Sequence, residues 1–62
     1  MSLKRCREAT NMTQKMAATL LGLDQSTVAL WETGKTMPRA SLLPKISELY
    51  ECTIDDLLKP EE

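Results

Sequence analysis

The sequence predicts an all-α fold of five short helices around one core. Three observations carry the prediction. Apolar residues recur at helical spacing; capping and stopping residues bracket the apolar stretches; and the composition lacks what a β-barrel needs, with no Phe and only two glycines. At 62 residues the chain is near the lower size at which a domain buries enough surface to fold alone. It is therefore read as one domain, 1–62, with no volume left for an enzyme's deep cleft.

The first helix is expected from about Ser2 to Thr10, with Leu3 and Cys6 inward and Asn11 as its stop. Asparagine tolerates the left-handed backbone found at helix ends. Thr13 caps a second helix, Gln14 to Leu21, whose inward face is Ala17, Ala18 and Leu21 and whose stop is Gly22. Asp24 caps a third, about Gln25 to Thr33, held inward by Val28 and Trp31 and stopped by Gly34. Leu43, Ile46, Leu49 and Tyr50 give the stripe of a fourth. Pro44 is tolerated only in a first turn, so that helix starts near Ser41 or follows a loosened turn. Thr53 with Asp56 three residues on reads as a capping box for a last helix carrying Ile54, Leu57 and Leu58. "KPEE" is a polar tail.

Only Gly22, Leu23 and Asp24 separate the second and third helices. A turn this short, with Gly22 in it and Ala18 as the small contact, makes a steeply crossed helix-turn-helix over about 14–33. Leu23 should plug the core beneath the turn.

Charge is close to balanced overall but unevenly placed. Lys4, Arg5, Arg7, Lys15, Lys35, Arg39 and Lys45 outnumber the acids up to Ser47, whereas acids dominate from Glu48 onward. One basic face and one acidic face would orient the molecule toward a polyanion; a plain solvated surface accounts for the same charges. Lys4, Arg5 and Lys15 are read as solvated. Cys6 and Cys52 are far apart in sequence and there is no histidine, so no metal site, structural disulfide or cofactor is expected and both thiols are read as small buried hydrophobes. Neither a membrane span nor a cleavable leader is legible, and cytoplasm is the default location.

The stretch "TQKMAATLLGLDQSTVALWETGK" resembles the helix-turn-helix of phage-repressor and Cro-type proteins, the XRE family. The resemblance rests on Thr13, Gln14, Ala18, Gly22, Asp24, Val28, Trp31, Glu32 and Gly34, and continues through Pro38 to "CTIDDLL". It implies a lambda-repressor-like fold and sequence-specific binding of double-stranded DNA by a small transcriptional regulator. Such a regulator would be a homodimer reading a palindrome, with no small-molecule ligand. Carried over position by position, it places Gln25, Ser26 and Thr27 in the major groove, Gln25 first because an amide pairs bidentately with adenine. It assigns phosphate contacts to Gln14, Thr33, Lys35 and Arg39, and an ion pair to Arg7 and Glu32. For the dimer surface, Leu57 and Leu58 of the last helix, with Tyr50, are candidates, although core packing accounts for the same residues.

Some positions depart from the family pattern. Leu30 stands where a polar or basic groove-facing residue is usual, and it is open to two readings: contact with a thymine methyl, or packing against a neighbour or second subunit. Met16 replaces the Glu of a capping box, Thr33 a frequent Asn, and Glu51 a frequent Gly at a helix stop. A protein-interaction module of the same fold, antitoxin-like or an anti-repressor partner, is the rival reading, with Met16, Leu20 and Leu30 as its apolar patch. No nucleophile–base pair points to an enzyme.

Overall fold

The computed structural model describes residues 2–59; Met1 and most of the expected polar tail, Pro60–Glu62, lie outside the described residues. In chain order the elements are α1 (Leu3–Ala9), α2 (Gln14–Leu21), α3 (Gln25–Thr33), a 3-10 turn (Ala40–Leu42), α4 (Leu43–Leu49) and α5 (Ile54–Leu58). The fold is all-α.

Four of the five helices end in the same hydrogen-bonded stop. After α2, the N–H of Leu23 donates to Ala18 O (2.8 Å) and that of Gly22 to Thr19 O (3.2 Å). After α3, Lys35 donates to Leu30 O and Gly34 to Trp31 O. The same nested pair, a Schellman motif, follows α1 through Met12 and Asn11 and follows α4 through Cys52 and Glu51. The motif needs one residue in the left-handed region, filled by Gly22 (φ 73°), Gly34 (φ 82°), Asn11 (φ 59°) and Glu51 (φ 53°). Glu51 thus holds a conformation that costs a side-chain-bearing residue roughly 1–2 kcal/mol.

Helix starts divide differently. Thr13 Oγ1 accepts from Met16 N (3.0 Å) without help from a glutamate, and Ser2 caps α1 through Arg5 N (3.3 Å). Thr53 accepts from Asp56 N (3.0 Å). The reply comes from the Asp56 carboxyl, which hydrogen bonding to the Thr53 side chain holds below its ordinary range, aided by the Thr53 backbone N–H. Asp24 departs from expectation: it has the extended backbone of a cap, but its side chain makes no cap bond. Only its carbonyl engages, accepting from Thr27 N (3.1 Å). The fourth helix needs both devices allowed for Pro44, since a 3-10 turn precedes α4 and the proline sits in its first turn.

The core unites Leu3 and Cys6 of α1, Ala17, Ala18 and Leu21 of α2, Val28 and Trp31 of α3, Ile46, Tyr50 and Leu57. Leu23 packs against it, beneath the α2–α3 turn. Ala17 is fully buried and Ala18 nearly so, and α2 and α3 pack more extensively on each other than any other pair of elements. Small side chains there let the two helices approach closely. Cys6 and Cys52 are free thiols, the first buried and the second half-buried. Burial pushes the Cys52 thiol up to about 12, and hydrogen bonding to the Cys6 sulfur adds to the rise. Among the described residues no helix is long and apolar enough to cross a membrane.

Candidate nucleic-acid interface

The outer side of α3 carries the candidate reading surface. Gln25 and Ser26 are exposed in its first turn, Thr27 is half-buried, and Leu30 is 39% exposed one turn on. Thr27 and Leu30 face a shared groove of about 450 Å³ whose far wall includes Thr36, Met37 and Arg39. The groove therefore joins two candidate base contacts to one candidate phosphate contact. Lys35 is exposed directly after the Gly34 stop. Thr33 is exposed too, but its hydroxyl donates to Leu30 O (3.0 Å). Phosphate oxygens only accept, so Thr33 must turn that O–H away before it can serve one.

Behind this surface lies a buried polar junction. Arg7 Nε donates to Glu32 Oε2 at 2.7 Å, with the two side chains 10% and 4% exposed. Arg7 Nη2 donates to Glu32 Oε1 (3.1 Å), completing a two-pronged pair, and Nη1 donates to the Met12 carbonyl. One guanidinium thereby ties α1 to the α1–α2 turn and to α3. Hydrogen bonding to Glu32 raises the Arg7 pKa against the opposing effect of burial. No buried side-chain polar atom among the described residues is left without a partner.

Gln14, the remaining phosphate candidate, also belongs to this junction. Its Nε2 donates to Glu32 Oε1 at 3.0 Å, across 18 residues of sequence. Sequence reasoning missed this bond. It assigned Gln14 and Glu32 separate tasks, and no spacing rule links the start of one helix to the last turn of the next.

The apolar candidates do not form one patch. Met16 and Leu20, 49% and 57% exposed, share a groove on the outer side of α2, whereas Leu30 belongs to the groove beside α3. Of the three residues considered for a dimer surface, Tyr50 and Leu57 are 2% and 3% exposed within the core. Leu58 alone is open, at 46%, and shares a groove of about 290 Å³ with the exposed Met37.

Two helices crossed over a three-residue glycine turn, with the second stopped by glycine and exposed along one side, are accompanied by a match of the helix-turn-helix family profile to residues 3–57. The chain belongs to the helix-turn-helix family. Among curated relatives, the HTH-type transcriptional activator BcrR of Enterococcus faecalis is 37% identical over 60 residues, covering 97% of this chain and 29% of BcrR. The uncharacterized HTH-type transcriptional regulator YqaE of Bacillus subtilis is 33% identical over 60 residues, covering 97% of this chain and 52% of YqaE. The chain thus spans between about three-tenths and about half of the length of these relatives. No solved structure gives a significant match. As a helix-turn-helix domain, the chain devotes α2 and α3 to the motif, and the remaining helices bury the faces those two cannot cover for each other.

Proposed function

We propose that this domain binds double-stranded DNA as part of a transcriptional regulator, with α3 in the major groove. The observation that carries the reading is the exposed side of α3. Gln25, Ser26, Thr27 and Leu30 lie along it, and Lys35 and Arg39 flank its C-terminal end. Base edges are read by the first turn and by Leu30, and the two cations hold the backbone. Gln14 supplies a third phosphate contact from the start of α2. Two copies read a palindrome, their recognition helices about 34 Å apart. The open pair Leu58 and Met37, which includes the one exposed residue of the last-helix candidates, offers an apolar surface for that pairing.

Selection of binding sites from random DNA tests the proposal. The expected product is a half-site or palindrome; a folded chain that enriches nothing refutes it. On the selected site, Lys35→Ala or Arg39→Ala should weaken binding and flatten the slope of log affinity against log salt by about 0.9 each. If Leu30 touches a thymine methyl, replacing that thymine by uracil removes roughly one methyl contact. The loss is about fourfold in affinity, from ~0.8 kcal/mol.

Met16 and Leu20, exposed side by side on α2, favour the second reading, a protein-interaction module. That reading predicts a partner bound almost independently of salt. Its surface leaves Leu30 in a different groove, so Leu20→Asp should abolish such binding while Leu30→Asp does not.

A further inference from the structure

The start of α2 leaves three donors without a protein partner among the described residues. Thr13 satisfies the backbone N–H groups of Met16, through its hydroxyl, and of Ala17, through its carbonyl. Those of Gln14 and Lys15 remain. The third is the second N–H of the half-exposed Gln14 side chain, whose first is bound to Glu32 Oε1 at 3.0 Å. A carboxylate only accepts, so it selects the NH₂ edge of the amide and opposes the flipped orientation. Glu32 is itself fixed by two N–H groups of Arg7 and is almost fully buried. The Gln14 amide is therefore held against a rigid support.

We infer that Glu32 is a positioning residue for DNA binding, holding the Gln14 amide so that its remaining N–H joins the Gln14 and Lys15 backbone donors on one phosphate. The inference rests on the DNA-binding reading above and assigns Glu32 a task beyond bridging α1 and α3. A glutamine left free would lose rotamer freedom on gripping a phosphate; one already held has lost it during folding. The charge of Glu32 makes the inference easy to separate from a general electrostatic effect. Removing a negative charge near DNA should by itself tighten binding. Releasing Gln14 should weaken it. The two effects have opposite signs.

Glu32→Gln leaves one acceptor oxygen where Arg7 and Gln14 present three N–H donors. Affinity for the selected duplex would be measured at fixed salt for the parent, Glu32→Gln, Gln14→Ala and the double variant, each checked for helical circular dichroism. Each single variant should bind about tenfold more weakly, near the worth of one hydrogen bond to a charged group, and the double variant no more weakly than either. A series of duplexes carrying one neutral methylphosphonate each should show one position at which the Glu32→Gln loss disappears. Unchanged or tighter binding by folded Glu32→Gln, or losses that add in the double variant, overturns the inference while leaving DNA binding intact. A parent chain that binds no DNA overturns both.

Nuclear magnetic resonance of the parent chain decides the matter if Glu32→Gln does not fold. The two Gln14 Nε2 protons should be distinct, one slow to exchange in the free protein and the other shifted on adding DNA. Equivalent behaviour of the two protons, or no response to DNA, refutes the positioning role.

Discussion

Replacing Arg7 by methionine puts the buried junction to its hardest test. The substitution keeps most of the aliphatic stem and removes all three donated bonds, to Oε1 and Oε2 of Glu32 and to the Met12 carbonyl. What remains is a carboxylate whose side chain is 4% exposed, with only the Gln14 amide to solvate it. Breaking a buried pair from one side costs about 3–5 kcal/mol. The whole stability of a 62-residue domain is about 3–9 kcal/mol at ordinary values per residue. At about 4–8 °C per kcal/mol, Arg7→Met should lower the melting temperature by at least ~12 °C and leave a sizeable unfolded fraction at 37 °C. Circular dichroism at 222 nm during thermal and urea melts measures this. Arg7→Met with Glu32→Leu removes both charges together and should recover most of the loss, because an apolar pair of similar volume often replaces a buried ion pair without penalty. A single variant melting within ~5 °C of the parent would show that the junction contributes little. A double variant no more stable than the single one would show that the unpaired carboxylate is not the source of the loss.

The helix stops give a pair of predictions with opposite signs. A Cβ at Gly34 meets nothing within 4 Å, so Gly34→Ala should cost only the left-handed backbone preference, about 1 kcal/mol in a urea melt. Glu51→Gly relieves the same strain where a glutamate now bears it, and should raise stability by roughly 0.5–1 kcal/mol. Alkaline solution should destabilise the fold. Burial pushes Cys52 from 9.0 and Tyr50 from 10.0 each up to about 12, so the unfolded chain loses these protons first. Their contribution is complete below about pH 9 and is lost as pH rises toward 12. Urea midpoints measured from pH 8 to 11 should fall steadily; a flat profile would contradict the burial of both groups.

Helix limits were legible in the sequence wherever the chemistry is local. Thr13 and Gly22 define α2 because a hydroxyl cap and a left-handed stop act within a few residues of themselves. Pro44 announced an interrupted start to α4 for the same reason. Asp24 marks the limit of such reasoning, since residue type placed a cap there but did not determine whether the side chain would engage. At the candidate site, exposure along α3 followed from helical periodicity around Val28 and Trp31. The Gln14–Glu32 bond did not, because it depends on how the start of α2 meets the end of α3 after both have packed. The nearness of Cys6 and Cys52 was hidden likewise, and becomes visible only when α1 docks beside the turn that follows α4.

On the DNA-binding reading proposed above, the glycine stop after α3 also limits how much sequence the domain can distinguish. Nine residues, Gln25–Thr33, make a rod of about 13 Å. At ~3.4 Å per base pair it lies alongside about four base pairs. Perfect discrimination at each would convey about two bits, some eight bits in all. Singling out one address among 10⁶ competing sites takes about twenty. One such helix is therefore a word too short to name a gene, and an operator read by this domain must be spelled by more than one copy of α3 or by further contacts outside it.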